Sequence, residues 1–187
     1  DKSSQSTYVD VTGDGNLLAI LDAIVTFHTD PQNTGSITVS GTGKGTGTYY
    51  DGQQGAFDKV SCSNCYTITA NAPAGYSFNG WSTTGSVRLG DLSKQSTSLI
   101  VDGPGTITVH WIPTYPVTVD PNGGRIYVDG SPITTRQTYS WASGSSHTLD
   151  PDSGYQPSAG EKMIFTQWSD GSTSDPRTIT VTGPATY

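Results

Sequence analysis

The chain has 187 residues, with 23 Gly, 11 Pro and only 13% charged residues, a composition typical of many short strands and turns. The formal net charge is −7, and the nine basic residues are scattered singly, which excludes a basic stripe for nucleic-acid phosphates. The longest apolar run, Leu17 to Phe27, is broken by Asp22 and is too short to span a membrane, which takes about 20 residues.

The first residues alternate in a way that suits a β-strand added to another chain. In such a strand Thr7, Val9 and Val11 share one face, and Tyr8 and Asp10 share the other. We therefore predict a donor strand made of Ser6, Thr7, Tyr8, Val9, Asp10 and Val11.

The next segment has two competing interpretations. Oxygen-bearing side chains recur at alternate positions and a glycine follows them, which resembles the start of a dockerin-type or EF-hand calcium loop. Position 12 of that loop is Leu21, so Asp22 would have to supply the missing carboxylate. The alternative is a β-hairpin turned at 13–15. Calcium is the only cofactor suggested, and its candidate ligands are Asp10, Thr12, Asp14, Asn16 and Asp22.

The two cysteines form the motif Cys62-Ser63-Asn64-Cys65. Redox motifs, zinc half-sites and small disulfide loops share this spacing. Because no βαβ pattern and no second Cys or His pair accompanies it, a Cys62–Cys65 disulfide is favoured. Reduced thiols and redox or metal chemistry remain open.

Landmarks recur in the same order about 80 residues apart. Gly75–Ser82 is matched by Gly154-Tyr155 followed, after an insertion, by Phe165–Ser169. Upstream, Ile37–Val39 and Tyr50–Gly52 are matched with Val117–Val119 and Val128–Gly130, and downstream Ser98–Thr106 with Arg177–Thr186. This period suits a seven-stranded sandwich. We predict an all-β fold with an N-terminal extension (1–30) and two tandem immunoglobulin-like β-sandwiches (31–112 and 113–187).

Aromatic pairs mark the predicted cores. Phe and Trp stand three residues apart in both repeats, and a Trp at a repeated sandwich position usually fills the core. A sugar-stacking platform is the alternative. The residues concerned are Phe78, Trp81, Phe165 and Trp168.

These motifs resemble a known family. The extended Thr/Val strand, the Asp-Gly turn, the Gly-Tyr-x-Phe-x-Gly-Trp-Ser segment and the closing Gly-Pro strand are similar to internalin-type B repeats and immunoglobulin-like β-repeats of archaeal and bacterial surface proteins. The resemblance covers residues 36–187. It implies an extracellular or cell-surface protein that serves as a stalk, spacer, adhesin or filament subunit.

Catalytic motifs are not evident. Glu161 is the only glutamate, and most aspartates stand in Asp-Gly turns, where they serve turn chemistry. No serine lies in a nucleophile elbow, and no histidine lies in a recognisable motif. We therefore do not expect an enzyme.

The two repeats differ at their ends. Trp111 follows Pro104 by seven positions, and the same spacing after Pro184 falls beyond Tyr187. The sequence therefore predicts a short last strand beside an acceptor edge made of Thr178, Ile179, Thr180, Val181 and Thr182. The simpler alternative is that the chain merely ends there.

Together these features predict a homopolymer. A donor strand and a separate acceptor edge on one chain make a head-to-tail contact that does not close, which builds a pilus-like surface fibre. The alternative is a monomeric adhesin or carbohydrate-binding tandem module of a larger secreted protein, with surface glycans as its partners.

Overall fold

The computed structural model describes residues 22–58 and 66–187. About 56% of these residues lie in strands and none lies in a helix, which confirms the all-β prediction. The described ranges therefore contain no helix that is long and apolar enough to cross a membrane. The strands are β1 Ala23–Asp30, β2 Ser36–Gly41, β3 Gly47–Tyr49, β4 Gln54–Phe57, β5 Tyr66–Asn71, β6 Tyr76–Leu89, β7 Ser96–Val119, β8 Ile126–Val128, β9 Ser131–Ile133, β10 Gln137–Ala142, β11 Ser146–Pro151, β12 Arg177–Thr180 and β13 Ala185–Thr186.

Alternating side chains explain the strands. In β1 the buried Ala23, Val25 and Phe27 alternate with more exposed neighbours. The same alternation recurs in β5, where Tyr66, Ile68 and Ala70 point inward. Since successive side chains of a strand point to opposite faces, each strand has one apolar and one polar face.

Strands β1–β7 form what we call the first unit, described over residues 23–58 and 66–113. Strands β2 and β5 pair with each other, and β5 pairs with the first part of β7. Strand β1 pairs with β4 and, in parallel, with the second part of β7. The long hairpin β6–β7 connects the two layers because β6 pairs with β7 from Leu99 to Pro113.

Two glycines allow this hairpin to bend between the layers. Gly85 and Gly105 face each other next to a register shift in the β6–β7 ladder. A Cβ on Gly105 would lie 2.5 Å from the Thr84 carbonyl oxygen, and one on Gly85 would lie 2.6 Å from that of Pro104. Only residues without a Cβ permit so close an approach.

Residues 114–187 form what we call the second unit, in which the same pairing order recurs. The end of β7 pairs with β10 in antiparallel and with β13 in parallel orientation. It thus takes the place of β1, which pairs antiparallel with β4 and parallel with β7. The neighbouring sheet has the strand order β9-β8-β11-β12. This order corresponds to β3-β2-β5 and the first part of β7 in the first unit. The Asp129-Gly130 loop between β8 and β9 has positive φ at both residues, as a two-residue hairpin requires.

Each unit has its own hydrophobic core. The first core contains the buried residues from Ala23 to Trp111, including Phe27, Phe57 and Trp81. The second core contains the buried residues from Val117 to Val181, including Leu149 and Trp168. Strand β7 contributes to both cores, so the chain passes from one unit to the next without a loop.

The strand pairing corrects two details of the sequence comparison. Residues 23–30, expected in the N-terminal extension, form β1 and pack in the first core. Ile37–Val39 lies in β2, which corresponds to β8, whereas Val117–Val119 takes the place of β1. Both segments have the sequence pattern apolar-Thr-Val, which is typical of a strand. The pattern alone does not show with which strands each segment pairs.

Candidate functional site: the open flank of the second unit

Several predicted site residues lie outside the described ranges. These are the donor strand Ser6–Val11, the cysteines Cys62 and Cys65, and the calcium ligands Asp10, Thr12, Asp14 and Asn16. The fifth calcium ligand, Asp22, is described, and both of its carboxylate oxygens accept hydrogen bonds from Lys44 Nζ at 3.2 Å. Within residues 22–58 and 66–187, no cluster of three or more potential metal ligands occurs.

The predicted acceptor edge coincides with β12 and the two residues after it. Strand β12 lies at the edge of a four-stranded sheet and, in the described part of the chain, pairs only with β11. Ile179 and Val181 are buried in the second core, whereas the threonines that alternate with them along the strand are exposed. The backbone of β12 that faces away from β11 is therefore available to a further strand.

The two units differ at this edge because the segment that follows Trp168 is shorter than the one that follows Trp81. In the first unit the Trp81 backbone N–H donates to the Leu92 carbonyl, and in the second unit that of Trp168 donates to Ser172. Leu92 follows Trp81 by eleven positions, whereas Ser172 follows Trp168 by only four. The seven missing residues correspond to the second half of β6, which covers the first part of β7.

A separate cleft of about 500 Å³ lies in the second unit, and no residue of β12 lines it. Its apolar wall includes the half-buried Phe165 and Ile164, whose side chain is 69% exposed. Phe165 packs on the buried Trp168 with ring centroids 5.3 Å apart, much as Phe78 packs on Trp81 at 5.5 Å. Trp81 and Trp168 are each 4% exposed and belong to the two cores.

The second unit has two paired arginines, of which the first, Arg125, lines the cleft. Arg125 bonds Asp152 and lies 4.8 Å from the Tyr155 ring centroid, and it lowers the pKa of the Asp152 carboxyl. Arg177 bonds both oxygens of Asp170, whose pKa it likewise lowers. Because Arg125 and Asp152 both line the cleft and are paired, Arg125 leaves no excess positive charge there.

Hydrogen bonds also reveal two Ser–His–Asp groups that the sequence did not indicate. Ser82, His110 and Asp30 lie on three neighbouring strands, with the His110 Nε2 2.9 Å from Ser82 Oγ and its Nδ1 2.9 Å from Asp30 Oδ2. A hydrolase also needs a substrate pocket and free oxyanion donors. These side chains lie on a sheet face, and they do not line the cleft described above.

The second group is part of a structural network. His147 lies 2.9 Å from Ser145 Oγ and 2.7 Å from Asp129 Oδ2. The Ser145 hydroxyl donates to the Ala142 carbonyl, so it is held at the turn rather than free to attack a substrate. The network ties the Asp129-Gly130 turn to β11. The His and Asp of these two groups are 80 and 18 positions apart in the sequence. Their contact therefore could not be predicted from a local motif.

Partly exposed aromatic rings are stacked on the second unit. The Tyr139 and Trp141 rings lie 4.8 Å apart, and the Trp141 and His147 rings lie 3.7 Å apart and nearly parallel. Tyr139 and Trp141 also pack against the second core. The three rings therefore form a continuous stack that links β10 to β11.

No protein-family model matches the chain, and a search of curated proteins found no significant match. The resemblance to internalin-type B repeats therefore stays a prediction.

Proposed function

We propose that the chain is a structural subunit of an extracellular, pilus-like surface fibre, built from two immunoglobulin-like β-sandwiches and joined by head-to-tail strand donation. The carrying observation is the open edge of β12. In the first unit the corresponding part of β7 is covered by the second half of β6, for which the second unit lacks the residues. A strand from a neighbouring subunit would supply the missing cover.

The side-chain pattern of the donor segment suits the open edge of β12. In the first unit the covering strand presents Val87, which is 2% exposed, opposite Val101. The donor would present Thr7, Val9 and Val11 on one face, with Val9 at the centre. Burying these side chains contributes roughly 25 cal/mol per Å², and the backbone bonds fix the register.

Register matters because of Asp10. A slip by one residue would turn Asp10 and Tyr8 toward the core of the acceptor. Burying an unpaired carboxylate is costly, so the alternation selects one register. Since donor and acceptor are different surfaces, the contact is heterologous and grows into a fibre.

The first test modifies the donor and follows assembly by light scattering and electron microscopy. The unmodified chain should form linear assemblies, whereas deletion of Asp1–Val11 or the single change Val9→Asp should leave monomers. Tyr8→Ser, on the opposite face, is the matched control and should still assemble. Fibres that persist after the deletion would refute donation by this segment.

A second variant tests the acceptor. The Val181 N–H donates toward β11, to the Ser145 carbonyl, so the N–H of Thr180 points away from β11. Thr180→Pro therefore removes a donor on the open edge without breaking the β11 ladder. It should abolish assembly, whereas Thr180→Val, which keeps the N–H, should not. Equal assembly of both variants would exclude β12 as the acceptor.

The stacked rings favour one second candidate, a monomeric adhesin or carbohydrate-binding module. Tyr139, Trp141 and His147 form a rigid, partly exposed group to which a sugar ring could be added by stacking. This candidate predicts a monomer that binds a glycan array, with binding lost in Trp141→Ala. A monomer that binds no glycan would exclude it.

A further inference from the structure

We propose that Ser82 is a nucleophilic acyl-acceptor site, which takes a small acyl group from an activated ester or thioester with His110 as its base. The product is an ester on the Ser82 hydroxyl, so the site is modified once and does not turn over substrate as a hydrolase would. The inference does not depend on fibre formation. It rests on the geometry of the Ser82–His110–Asp30 group in the first unit.

The hydrogen bonds of this group determine where the protons lie. An ionised aspartate can only accept hydrogen bonds, so the contact of His110 Nδ1 with Asp30 Oδ2 at 2.9 Å places the proton of the neutral ring on Nδ1. The other ring nitrogen, Nε2, then accepts the hydroxyl proton of Ser82, whose Oγ lies 2.9 Å away. Asp30 is thus a positioning residue, and His110 Nε2 is a base within reach of the hydroxyl proton.

A β-bulge in β6 places the His110 ring between its two partners. The register of the β6–β7 ladder shifts between Phe78 and Trp81, and His110 lies opposite this shift without a partner residue in β6. On its other side His110 pairs with Asp30 of β1. Bulges commonly redirect a side chain next to a functional site. Here the ring contacts Ser82 on one strand and Asp30 on another at the same time.

The Ser82 hydroxyl is accessible to a small reagent. Ser82 is exposed, and the side chains of His110 and Asp30 are 33% and 66% exposed. The nearest residues on the same face are small, since Thr84 follows along β6 and Thr108 pairs with Ser82 from β7. A face of small side chains leaves room for a small acyl carbonyl, so we expect an acetyl-sized group to react best.

The second Ser–His–Asp group, in the second unit, is an internal comparison. There the Ser145 hydroxyl donates its single proton to the Ala142 carbonyl at 2.8 Å, so this proton is not offered to His147. In the part of the chain that the structure describes, the Ser82 hydroxyl bonds only His110. The histidine can therefore take the proton from Ser82, whereas the corresponding proton of Ser145 is held by a carbonyl.

The reaction needs only the acyl donor. Ser82 Oγ attacks the acyl carbon and forms a new C–O bond, while the hydroxyl proton passes to His110 Nε2. The bond from the acyl carbon to the leaving oxygen or sulfur then breaks, and the proton passes from His110 to that leaving group. Because a serine alkoxide is a poorer leaving group than a phenolate or a thiolate, the acyl group stays on Ser82.

The probe for this test is p-nitrophenyl acetate, added to the full chain at mildly alkaline pH. Peptide mass spectrometry then follows acetylation of each residue over time. We expect Ser82 to be acetylated at least tenfold faster than Ser145, since a positioned base typically accelerates such a step by about 100-fold or more. Hydroxylamine, which cleaves esters and spares lysine amides, should remove the Ser82 label. Acetylation of Lys94 in the same samples serves as the internal standard for the reagent.

Two variants test the base and the residue that positions it. His110→Gln removes the base and should slow acetylation of Ser82 at least tenfold relative to Lys94. Asp30→Asn keeps the shape, but its amide can donate to Nδ1 and so moves the ring proton to Nε2. It should therefore slow the reaction as well, whereas a merely structural role of Asp30 would leave the rate unchanged.

Three results would each overturn the proposal. These are acetylation of Ser82 no faster than that of Ser145, an unchanged Ser82 rate in His110→Gln, and an unchanged rate in Asp30→Asn. Melting temperatures confirm that both variants fold, and the comparison of Ser82 with Ser145 in the unmodified chain decides the question even if a variant does not. None of these results bears on fibre formation, which the donor deletion tests separately.

Discussion

The two units share one pairing order but differ in how each covers one flank of its core. In the first unit β6 runs along β7 for most of its length and Trp111 fills the space beside Phe78. In the second unit the residues between Tyr155 and Arg177 form no strand, and a cleft lies beside Phe165. The comparison shows that the long β6–β7 hairpin covers a strand edge that stays open in the second unit. It also shows that Trp168 is buried as deeply as Trp81 without such a hairpin.

The strongest test of this comparison would open the first unit in the same way. Trp111→Ala removes a buried indole and its hydrogen bond to Thr34, leaving a cavity like that of the second unit. We expect a loss of about 3–5 kcal/mol in the free energy of unfolding, measured by urea denaturation.

Trp111→Phe serves as its control. This variant keeps most of the apolar volume and loses the indole N–H, so it should cost clearly less than the Ala variant. If Trp111→Ala unfolds at the same urea concentration as the unmodified chain, the indole does not support the first core, and the comparison with the cleft fails.

A smaller effect is expected where β6 and β7 approach each other. Gly105 pairs with Val25 as Ala185 pairs with Val117, so the first unit has Gly where the second has Ala. A Cβ at Gly105 would collide with the Thr84 carbonyl oxygen. Gly105→Ala should therefore destabilise the chain by about 1–3 kcal/mol, measured by thermal unfolding, although Ala ordinarily suits a strand better than Gly.

The reciprocal change Ala185→Gly is the control for this steric argument. It removes a methyl group that packs against the second core without a close β6 carbonyl opposite, so the backbone effect and the lost packing together should cost only about 1 kcal/mol. A stabilising effect of Gly105→Ala would show that the two strands are not so close.

Local patterns predicted much of this architecture, because they depend on neighbouring residues. The Thr/Val pattern identified strands such as β2 and β12, and the Asp129-Gly130 pair identified a turn. The Phe–Trp spacing indicated residues that lie in the two cores. These features follow from side-chain period and turn geometry, which are written in short stretches of sequence.

Long-range relations were harder to predict. The shortening of the hairpin after Trp168 was obscured because an insertion between Tyr155 and Phe165 nearly compensates for it in length. The His110–Asp30 contact joins residues 80 positions apart, and nothing in their local sequence indicates that β1 pairs with β7 in parallel. Strand pairing is decided by packing of the whole domain, so such contacts appear only in three dimensions.

The smallest expected effect concerns two aspartates that each bond a histidine, one in each unit. The Thr29 N–H and the His28 ring lower the pKa of Asp51, whose side chain is 10% exposed. Burial would raise the pKa of Asp129, but the His147 ring and the Thr148 N–H outweigh it, so this pKa is lowered as well. A lowered pKa in the folded state stabilises the fold above the ordinary value near 4, and this stabilisation is lost as the pH falls through the folded-state pKa.

Replacement by Asn separates the charge from the shape. Asn-Gly suits the β8–β9 turn as well as Asp-Gly does, so Asp129→Asn removes the carboxylate and keeps the backbone. Between pH 7 and pH 3 the unmodified chain should lose more stability than the variant. Because the Asp129 side chain is 49% exposed, solvent screening limits the difference to about 1 kcal/mol or less. Asp51→Asn in the first unit should show the larger difference, since Asp51 is more buried. Melting temperatures of the three proteins across this pH range measure both effects, and parallel curves would show that neither carboxylate contributes to acid sensitivity.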